Sequence, residues 1–273
     1  GPNGSGKTTT IRCLLGMLKP TAGSAEVLGH RIALDGAAVR RRIGYVAGEV
    51  KLYERETGQW HLDYVDGFRG GRGVLADELV ERFGFDPSRR VKEMSKGNKQ
   101  KLALILGMAH DPELLILDEP TSGLDPLNQE SVYEVLDERV ANGRTVFLSS
   151  HVLSEVERVC DRIGIIRSGR LAAEETVEAL LGKRLRELEV TFAGPVTPDV
   201  LALPGVDHLA QVNEVTLSAR VKGDVVDDVI KRIAERRVVD VHMHRASLED
   251  VFLEYYRRDD NGQHAEAERE EER

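Results

Sequence analysis

The feature that most constrains this chain is its opening segment, in which residues 1–8 read GPNGSGKT. The spacing G-x-x-x-x-G-K-[ST] is typical of a loop that binds phosphate. Its glycines let backbone N–H groups turn inward around phosphate oxygens, and the start of the following helix adds positive potential. A glycine-rich turn with no ligand is the alternative, but the apolar helix pattern that follows the loop argues against it.

Each residue of this loop has an expected task. Lys7 is expected to reach the terminal phosphates, and the Thr8 hydroxyl is expected to bind Mg²⁺. The helix behind the loop carries apolar residues up to Leu18 and is expected to stop between Pro20 and Gly23. The residues that we expect to contact phosphate are Gly1, Asn3, Gly4, Ser5, Gly6, Lys7, Thr8 and Thr9.

Two adjacent acids follow a wholly apolar run, Leu114–Leu117, which is typical of a parallel strand buried on both faces. Open α/β sheets bind ligands at the carboxyl ends of their strands. We therefore expect Asp118 to hold Mg²⁺, directly or through water, and Glu119 to act as general base on an attacking water. Two solvated acids at a strand end are the alternative, and the loop at Lys7 argues against it.

Strand and helix patterns alternate through the first two thirds of the chain, which predicts a parallel α/β sheet. The predicted helices are Val74–Phe83 and Ser95–Met108, in addition to the one behind the opening loop. Besides Leu114–Leu117, the predicted strands are Ile43–Val46, Thr145–Leu148 and Ile163–Ile166, the last two with the same buried parallel character.

The composition changes after about residue 183, where a small α+β module is predicted. A helix is expected over Val225–Ala234, and Ser247 with Asp250 forms a capping-box pattern before Val251–Tyr256. Strands are expected over Leu188–Phe192, His208–Val212 and Val215–Val221. We place the domain boundaries at 1–182, 183–257 and 258–273, and expect the last, acidic segment to be disordered.

Three further motifs show a resemblance to the ATP-binding subunits of ABC transporters. Residues 94–100 read MSKGNKQ and resemble the L-S-G-G-Q signature, residues 122–125 (SGLD) resemble the D-loop, and residues 149–151 (SSH) resemble the switch-histidine loop. Together with the opening loop they keep the family's order across residues 1–151. The resemblance implies a P-loop NTPase fold with an inserted helical subdomain at about 55–107.

The resemblance also implies a site shared between two subunits. Ser95 and Gly97 are expected to cap the γ-phosphate of ATP bound by the opposite subunit, because a helix N-terminus carries unpaired N–H donors. By the same resemblance, His151 contacts the γ-phosphate and is linked to Glu119, and Asp125 passes the state of one site to the other. The implied ligands are ATP and Mg²⁺, and the implied assembly is a homodimer or pseudo-dimer.

The chain departs from the family's pattern at two motifs. The signature has Lys96 and Asn98 where glycine and glutamine are usual. The sequence S-K-G at this place resembles the signature of family members that export drugs and antibiotics. Residues 43–49 (IGYVAGE) occupy the position of the family's Q-loop, I-G-Y-x-P-Q, with Gly48 at the glutamine position and Glu49 after it. Glu49 is a candidate metal ligand, and the alternative is that it is a surface acid in a turn. A carboxylate has no hydrogen-bond donor, so it cannot replace every contact of the usual amide.

The resemblance carries expectations about both ends of the chain. In the family a core strand and an adenine-stacking aromatic precede the phosphate loop, so we expect this sequence to be truncated at its start. Residues 246–252 (ASLEDVF) resemble a closing motif of subunits that pair with ABC-2 type permeases. Tyr53, Trp60 and Tyr64, after the Q-loop, are either anchors for such a permease or core of the helical subdomain.

Composition bounds the partners and the location. The net charge of -9 argues against nucleic acid as a partner, and no apolar run reaches membrane-spanning length. The family resemblance implies a cytoplasmic ATPase that sits on the inner face of the cell membrane through a permease and powers export. A soluble ABC ATPase acting on ribosomes or DNA and a non-hydrolysing nucleotide-binding regulator are the alternatives. His242 and His244 share one face of a predicted strand, where exposure is favoured over a metal site.

Overall fold

A computed structural model describes residues 1–2, 4–182, 186–245 and 248, without the side chains of 33–35, 181–182 and 245. Two compact units are formed, one by Gly1–Val152 with Gly164–Ala173 and the other by Leu153–Ile163 with Glu174–Arg273. This division differs from the predicted boundary after residue 182, because 153–163 and 174–182 group with the second unit.

The elements follow one another in chain order. The helices are α1 (Lys7–Leu14), α2 (Ile32–Arg41), α3 (Gly58–Arg69), α4 (Ala76–Arg82), α5 (Lys96–Met108), α6 (Pro126–Ala141), α7 (Leu153–Val159), α8 (Val177–Gly182) and α9 (Val226–Ala234). The strands are β1 (Glu26–Val27), β2 (His30–Arg31), β3 (Ile43–Val46), β4 (Leu114–Asp118), β5 (Thr145–Ser149), β6 (Arg162–Arg167), β7 (Arg170–Thr176), β8 (Arg186–Phe192), β9 (Val206–Gln211), β10 (Thr216–Val221) and β11 (Val238–Arg245). Single 3₁₀ turns span Val91–Glu93, Pro198–Leu201 and Gly223–Val225.

The centre of the first unit is a parallel sheet in the order β3-β4-β5. Strand β4 is buried along its whole length, as an apolar strand between two neighbours must be. This sheet and the helices around it confirm the predicted P-loop NTPase α/β fold. β4 ends at Asp118, and Asp118 is in register with Ser149 of β5, so these two residues lie at the same edge of the sheet.

Helix α5 crosses the first strand of this sheet at a pair of glycines. A Cβ atom at Gly44 of β3 would overlap the carbonyl oxygen of Gly107, and a Cβ at Gly107 would lie 2.7 Å from Cγ2 of Val46. The two backbones therefore touch, as only glycine allows. This contact joins the helix that begins at Ser95 to the strand that leads to the Q-loop.

Helices α3, α4 and α5 form the predicted helical subdomain. Ser95 caps α5 and Thr57 caps α3, each by accepting a backbone N–H with its hydroxyl oxygen. The three helices pack around a core of Leu62, Leu79, Phe83, Leu102, Leu104 and Ile105. The aromatic residues after the Q-loop stack beside this core: the rings of Trp60 and Tyr64 lie 4.7 Å apart and nearly parallel, and Tyr53 meets both edge-on. Tyr53 and Tyr64 remain exposed.

Three sequence expectations in the first unit were wrong in detail. Helix α1 ends at Leu14, well before Pro20, because Gly16 adopts a left-handed φ of 67° and closes the last turn. Strand β5 is largely exposed instead of buried, since it lies at the edge of the three-stranded sheet. Strand β6 pairs with β7 in a separate sheet, because Ser168 and Gly169 both adopt positive φ and form a tight turn.

The second unit contains an antiparallel sheet in the order β11-β8-β10-β9, which confirms the predicted α+β module. The chain order of this unit is that of the split β-α-β motif, with a 3₁₀ turn in place of the first helix. The order is β8, the 3₁₀ turn, β9, β10, α9 and β11. One face of the sheet packs against α9 through Leu188, Val190, Leu217, Val229 and Ile233.

His242 and His244 lie exposed on β11, beside Asp240 and Glu187 respectively. No group of three or more histidine, cysteine or acidic side chains in the described parts of the chain could hold a metal. The capping-box residues Ser247 and Asp250, the helix predicted at Val251–Tyr256 and the segment 258–273 lie outside the described residues.

Candidate functional site

The opening loop turns at glycines and leads directly into α1. Gly4 has a φ of 78° and Gly6, the N-cap of α1, a φ of 107°, both in the left-handed region that favours glycine. The first amides of α1 therefore point toward the loop without helical partners. Lys7 Nζ donates to the carbonyl oxygens of Gly1, at 2.6 Å, and Pro2, at 3.2 Å, so its ammonium group lies inside the loop.

Asp118, at the end of β4, is held by two hydroxyl groups. Thr8 Oγ1 donates to Asp118 Oδ2 over 2.7 Å, and Ser149 Oγ donates to Asp118 Oδ1. The carboxylate is almost fully buried, so these two bonds fix its orientation. Ser149 was not among the expected site residues. Its place in register beside Asp118 on the neighbouring strand brings it to the carboxylate, and only the strand pairing shows this.

The side chain of Glu119 lies close to both Lys7 and His151. His151 Nδ1 lies 2.6 Å from Glu119 Oε2, and because a carboxylate only accepts, the imidazole is the donor. Lys7 Nζ lies 3.7 Å from Glu119 Oε1. Glu119 also has a φ of 52°, rare for a residue with a side chain, and its N–H donates to the carbonyl of Ser149 over 2.9 Å. The structure thus brings Lys7, Glu119 and His151 together.

The signature and D-loop residues lie at two helix starts. Ser95 Oγ accepts the N–H of Asn98, and Asp125 Oδ1 accepts the N–H of Asn128, so each is an N-cap. The bonds from the backbone and side chain of Asn128 hold the pKa of Asp125 below its usual range. Gly97 lies against the D-loop, since a Cβ there would be 2.9 Å from the carbonyl oxygen of Gly123.

In the Q-loop it is Gly48 that lies nearest to the buried acid. A Cβ at Gly48 would be 3.4 Å from Asp118 Oδ2. The side chain of Glu49 is 85% exposed and its carboxylate lies 3.9 Å from Lys51 Nζ. The metal role of Glu49 stays a prediction.

The remaining loop residues differ in burial. Ser5 is buried, and its hydroxyl has no hydrogen-bond partner within the described residues. Gly1 is half-buried against Ile166, while Gly4 and Thr9 are exposed. Asn3 lies outside the described residues. A buried hydroxyl without a partner in a loop of inward-turning amides is a group that a phosphate oxygen could satisfy.

The donor set suits a hard cation beside a phosphate chain. The Thr8 hydroxyl and the Asp118 carboxylate are oxygen ligands of the kind that Mg²⁺ prefers, and they lie within hydrogen-bond distance of each other. Lys7 and the amides at the start of α1 supply positive potential next to them. The Glu119 carboxylate, which is hydrogen-bonded to His151, is a group that can accept a proton from water. In the part of the chain that the structure describes, no helix is both long and apolar enough to cross a bilayer.

Comparisons with known proteins identify relatives of this chain. Residues 1–122 match the family described as ABC transporter. The chain is 35% identical over 268 residues to the daunorubicin resistance ATP-binding protein DrrA3 of Streptomyces coeruleorubidus, covering 93% of this chain and 84% of that protein. It is 32% identical to the Nod factor export ATP-binding protein I of Neorhizobium galegae, over 93% of this chain and 74% of that protein.

Solved structures give the same result for the fold. An ATP-binding subunit of an ABC transporter superposes with a TM-score of 0.61 at 33% identity, covering 66% of this chain and 78% of that one. A dimeric ATP-binding cassette bound to ADP and Pi superposes with a TM-score of 0.59 at 23% identity, over 65% and 83% of the two chains. From the loop, the buried acid, the histidine-held glutamate and these relatives together, the chain belongs to the ATP-binding subunits of the ABC transporter family, which are ATPases.

Proposed function

We propose that the chain binds ATP with Mg²⁺, hydrolyses it with Glu119 as general base, and thereby powers an exporter whose membrane part is an ABC-2 type permease. The observation that carries the catalytic part is the Lys7–Glu119–His151 arrangement. It places a carboxylate beside the cation of the phosphate loop and fixes its second oxygen with an imidazole donor. An exposed acid at a strand end would need neither partner.

Each residue has a separate task in the hydrolysis. The loop amides and Lys7 bind the phosphate oxygens and attract the developing negative charge. The Glu119 carboxylate accepts a proton from the attacking water, and His151 keeps that carboxylate turned toward the phosphate loop. Thr8 and Asp118 would hold Mg²⁺, with Glu49 as a further candidate ligand, and the bound ion would neutralise charge on the terminal phosphates. Ser149 keeps the Asp118 carboxylate in position.

A second copy of the chain completes the site in this proposal. The N-terminus of α5, with Ser95 and Gly97, is aimed at the γ-phosphate held by the opposite copy, and Asp125 lies beside the same interface. ATP then joins the two copies, and its hydrolysis releases them. The dimeric architecture of the cassette bound to ADP and Pi supports this proposal through the fold.

The permease is proposed to dock on the helical subdomain, from the cytoplasmic side of the membrane. Tyr64 and Phe68 are exposed on α3, and the exposed Tyr53 before the helix packs against Tyr64, so these three aromatic side chains offer apolar anchors for such a contact. Relatives named for drug resistance and Nod factor export support the export direction. Co-purification with a permease encoded beside this chain tests the assignment, and stable association with ribosomes instead would contradict it.

The substitution Glu119→Gln tests the catalytic proposal. We expect phosphate release to fall by about 10²–10³-fold, as for loss of a general base, while ATP binding and ATP-dependent dimerisation persist. Glu130→Gln on α6 serves as the matched control, because it removes the same charge from the following helix outside the site. A Glu119→Gln variant that releases phosphate as fast as the unsubstituted protein would show that another group is the base.

A further inference from the structure

We infer that Lys96 is a positioning residue, whose side chain locks the start of α5 to the loop between Glu119 and Asp125. This inference rests on the proposed function for its effect on turnover. Its structural part concerns only the contact between α5 and residues 120–124, which we call the clamp.

The clamp is made of three successive contacts along the first turns of α5. Lys96 Nζ donates to Ser122 Oγ over 3.1 Å. Gly97 approaches the carbonyl oxygen of Gly123 so closely that a Cβ there would be 2.9 Å away. One turn later, the buried Gln100 donates to the carbonyl oxygen of Pro120 over 2.7 Å.

The aliphatic stem of Lys96 lies flat against the D-loop glycine. A Cβ at Gly123 would be 2.9 Å from Cδ, 3.0 Å from Cγ and 3.1 Å from Cε of Lys96. Gly123 has a φ of 83°, so the turn it makes needs a residue without a side chain, and the lysine stem covers the space that results. A long charged side chain often packs its methylene groups in this way while its head stays in water.

The position of the lysine is unfavourable for the helix alone, which points to a role outside it. A cation in the first turn of a helix meets the positive end of the helix dipole. Among the described residues, the ammonium group has a hydroxyl partner, Ser122, and no carboxylate within ion-pair distance. The favourable interactions of the Lys96 side chain at this position are therefore its contacts with Ser122 and Gly123.

The loop that Lys96 covers is continuous with the general base. Ser122 N–H donates to the carbonyl of Glu119 over 3.2 Å, and Leu124 N–H donates to Thr121 over 3.0 Å. Asp125 then caps α6. Because the loop is bonded to Glu119 at one end and clamped to α5 along its length, the helix end and the base move together. In the proposed dimer these two ends serve opposite nucleotides, so the clamp couples the two sites within one copy.

Substitutions at Lys96 separate the stem from the charge. Lys96→Ala removes both, Lys96→Met keeps an unbranched stem, and Lys99→Ala removes a lysine from the same helix that pairs with Glu54 instead of the clamp. We expect Lys96→Ala to lower kcat by about fivefold with KM changed less than about twofold, because only the geometry of the hydrolytic step is affected. Lys96→Met and Lys99→Ala should keep at least about half of the original kcat.

Amide hydrogen exchange tests the clamp independently of catalysis. In the nucleotide-free protein, Lys96→Ala should speed exchange in the peptide covering residues 119–125 by about fivefold and leave the Thr145–Ser149 strand unchanged, because local opening reports local contacts. Unchanged exchange in 119–125 would overturn the inference, and a Lys96→Met variant as impaired as Lys96→Ala would overturn the role given to the lysine stem. If Glu119→Gln kept its activity, the proposed base would be wrong, while the exchange result would still decide the clamp.

Discussion

At the level of single residues, each acid of the proposed site has hydrogen-bond partners that fix its side chain. Asp118 is buried and takes hydrogen bonds from Thr8 and Ser149, and Glu119 is held by His151. A buried carboxylate with fixed partners cannot turn away from the position where a cation and phosphate would bind. Loss of such a partner should therefore affect the chemistry without removing a catalytic atom.

Replacing Ser149 by alanine tests this view. The variant leaves one oxygen of a buried carboxylate without its donor, which should cost about 1–3 kcal/mol of unfolding free energy. We expect turnover to fall by about tenfold and the Mg²⁺ concentration for half-maximal activity to rise, since second partners of metal ligands typically matter by 10–100-fold. Ser131→Ala is the control, because within the described residues its hydroxyl bonds to the carbonyl of Leu127, one turn back in α6, and to no group of the site. Equal activity in both variants would contradict the role of Ser149.

His110 gives the first unit a pH dependence away from the site. Burial, with Arg69 nearby as a second cause, lowers the pKa of its imidazole to about 4 from an ordinary 6.5. Between about pH 4 and pH 6.5, the imidazole of His110 is therefore neutral in the folded protein and protonated in the unfolded chain. Stability from this group is complete above pH 6.5 and is lost as the pH falls from 6.5 to about 4.

We expect His110→Leu to remove roughly 1–2 kcal/mol of the loss in unfolding free energy between pH 7 and pH 4, after allowance for partial exposure. Urea unfolding at both pH values measures it. A His110→Leu variant with an unchanged pH dependence of the unfolding free energy would mean that folding does not lower the pKa of this imidazole.

At the scale of elements, close backbone approach determines how α5 lies on the sheet. Gly44 and Gly107 let the helix touch β3, and Gly97 lets its first turn touch the D-loop. These contacts set the distance from the signature to the acids at the end of β4. Side chains at these positions would push the elements apart, because interiors are close-packed and yield little.

The substitution Gly44→Ala should lower the free energy of unfolding far more than the substitution of an exposed helix glycine by alanine. Its Cβ would overlap the carbonyl oxygen of Gly107 and lie 2.8 Å from Cγ of Pro112, so we expect a loss of about 3 kcal/mol or more of unfolding free energy. Gly67→Ala in α3 is the matched control. Nothing lies within 4 Å of its Cβ position, and alanine should stabilise the helix by about 0.5–1 kcal/mol. Thermal unfolding of both variants measures the difference, and similar midpoints would contradict the packing described here.

At the scale of the whole molecule, the sequence predicted the fold class and most of the elements for a physical reason. The phosphate loop, the apolar run before Asp118 and the cap at Ser95 are local signals, and local signals determine local structure. Pairing between distant strands is not local, so β6 was assigned to the wrong kind of sheet and β5 was predicted to be too buried. Ser149 and Lys96 acquire their roles only through residues about 30 positions away, which no spacing along the chain reveals.

In the proposed dimer, one ATP is held by Lys7, Asp118, Glu119 and His151 of one copy and by Ser95 of another. Mixing two inactive variants, Lys7→Ala and Ser95→Arg, tests whether the site is shared in this way. In a symmetric dimer with independent sites, half of the dimers would be mixed and each would keep one intact site, which predicts about a quarter of the normal ATPase rate. A mixture no more active than its two components, although both variants still dimerise with each other, would contradict the shared site.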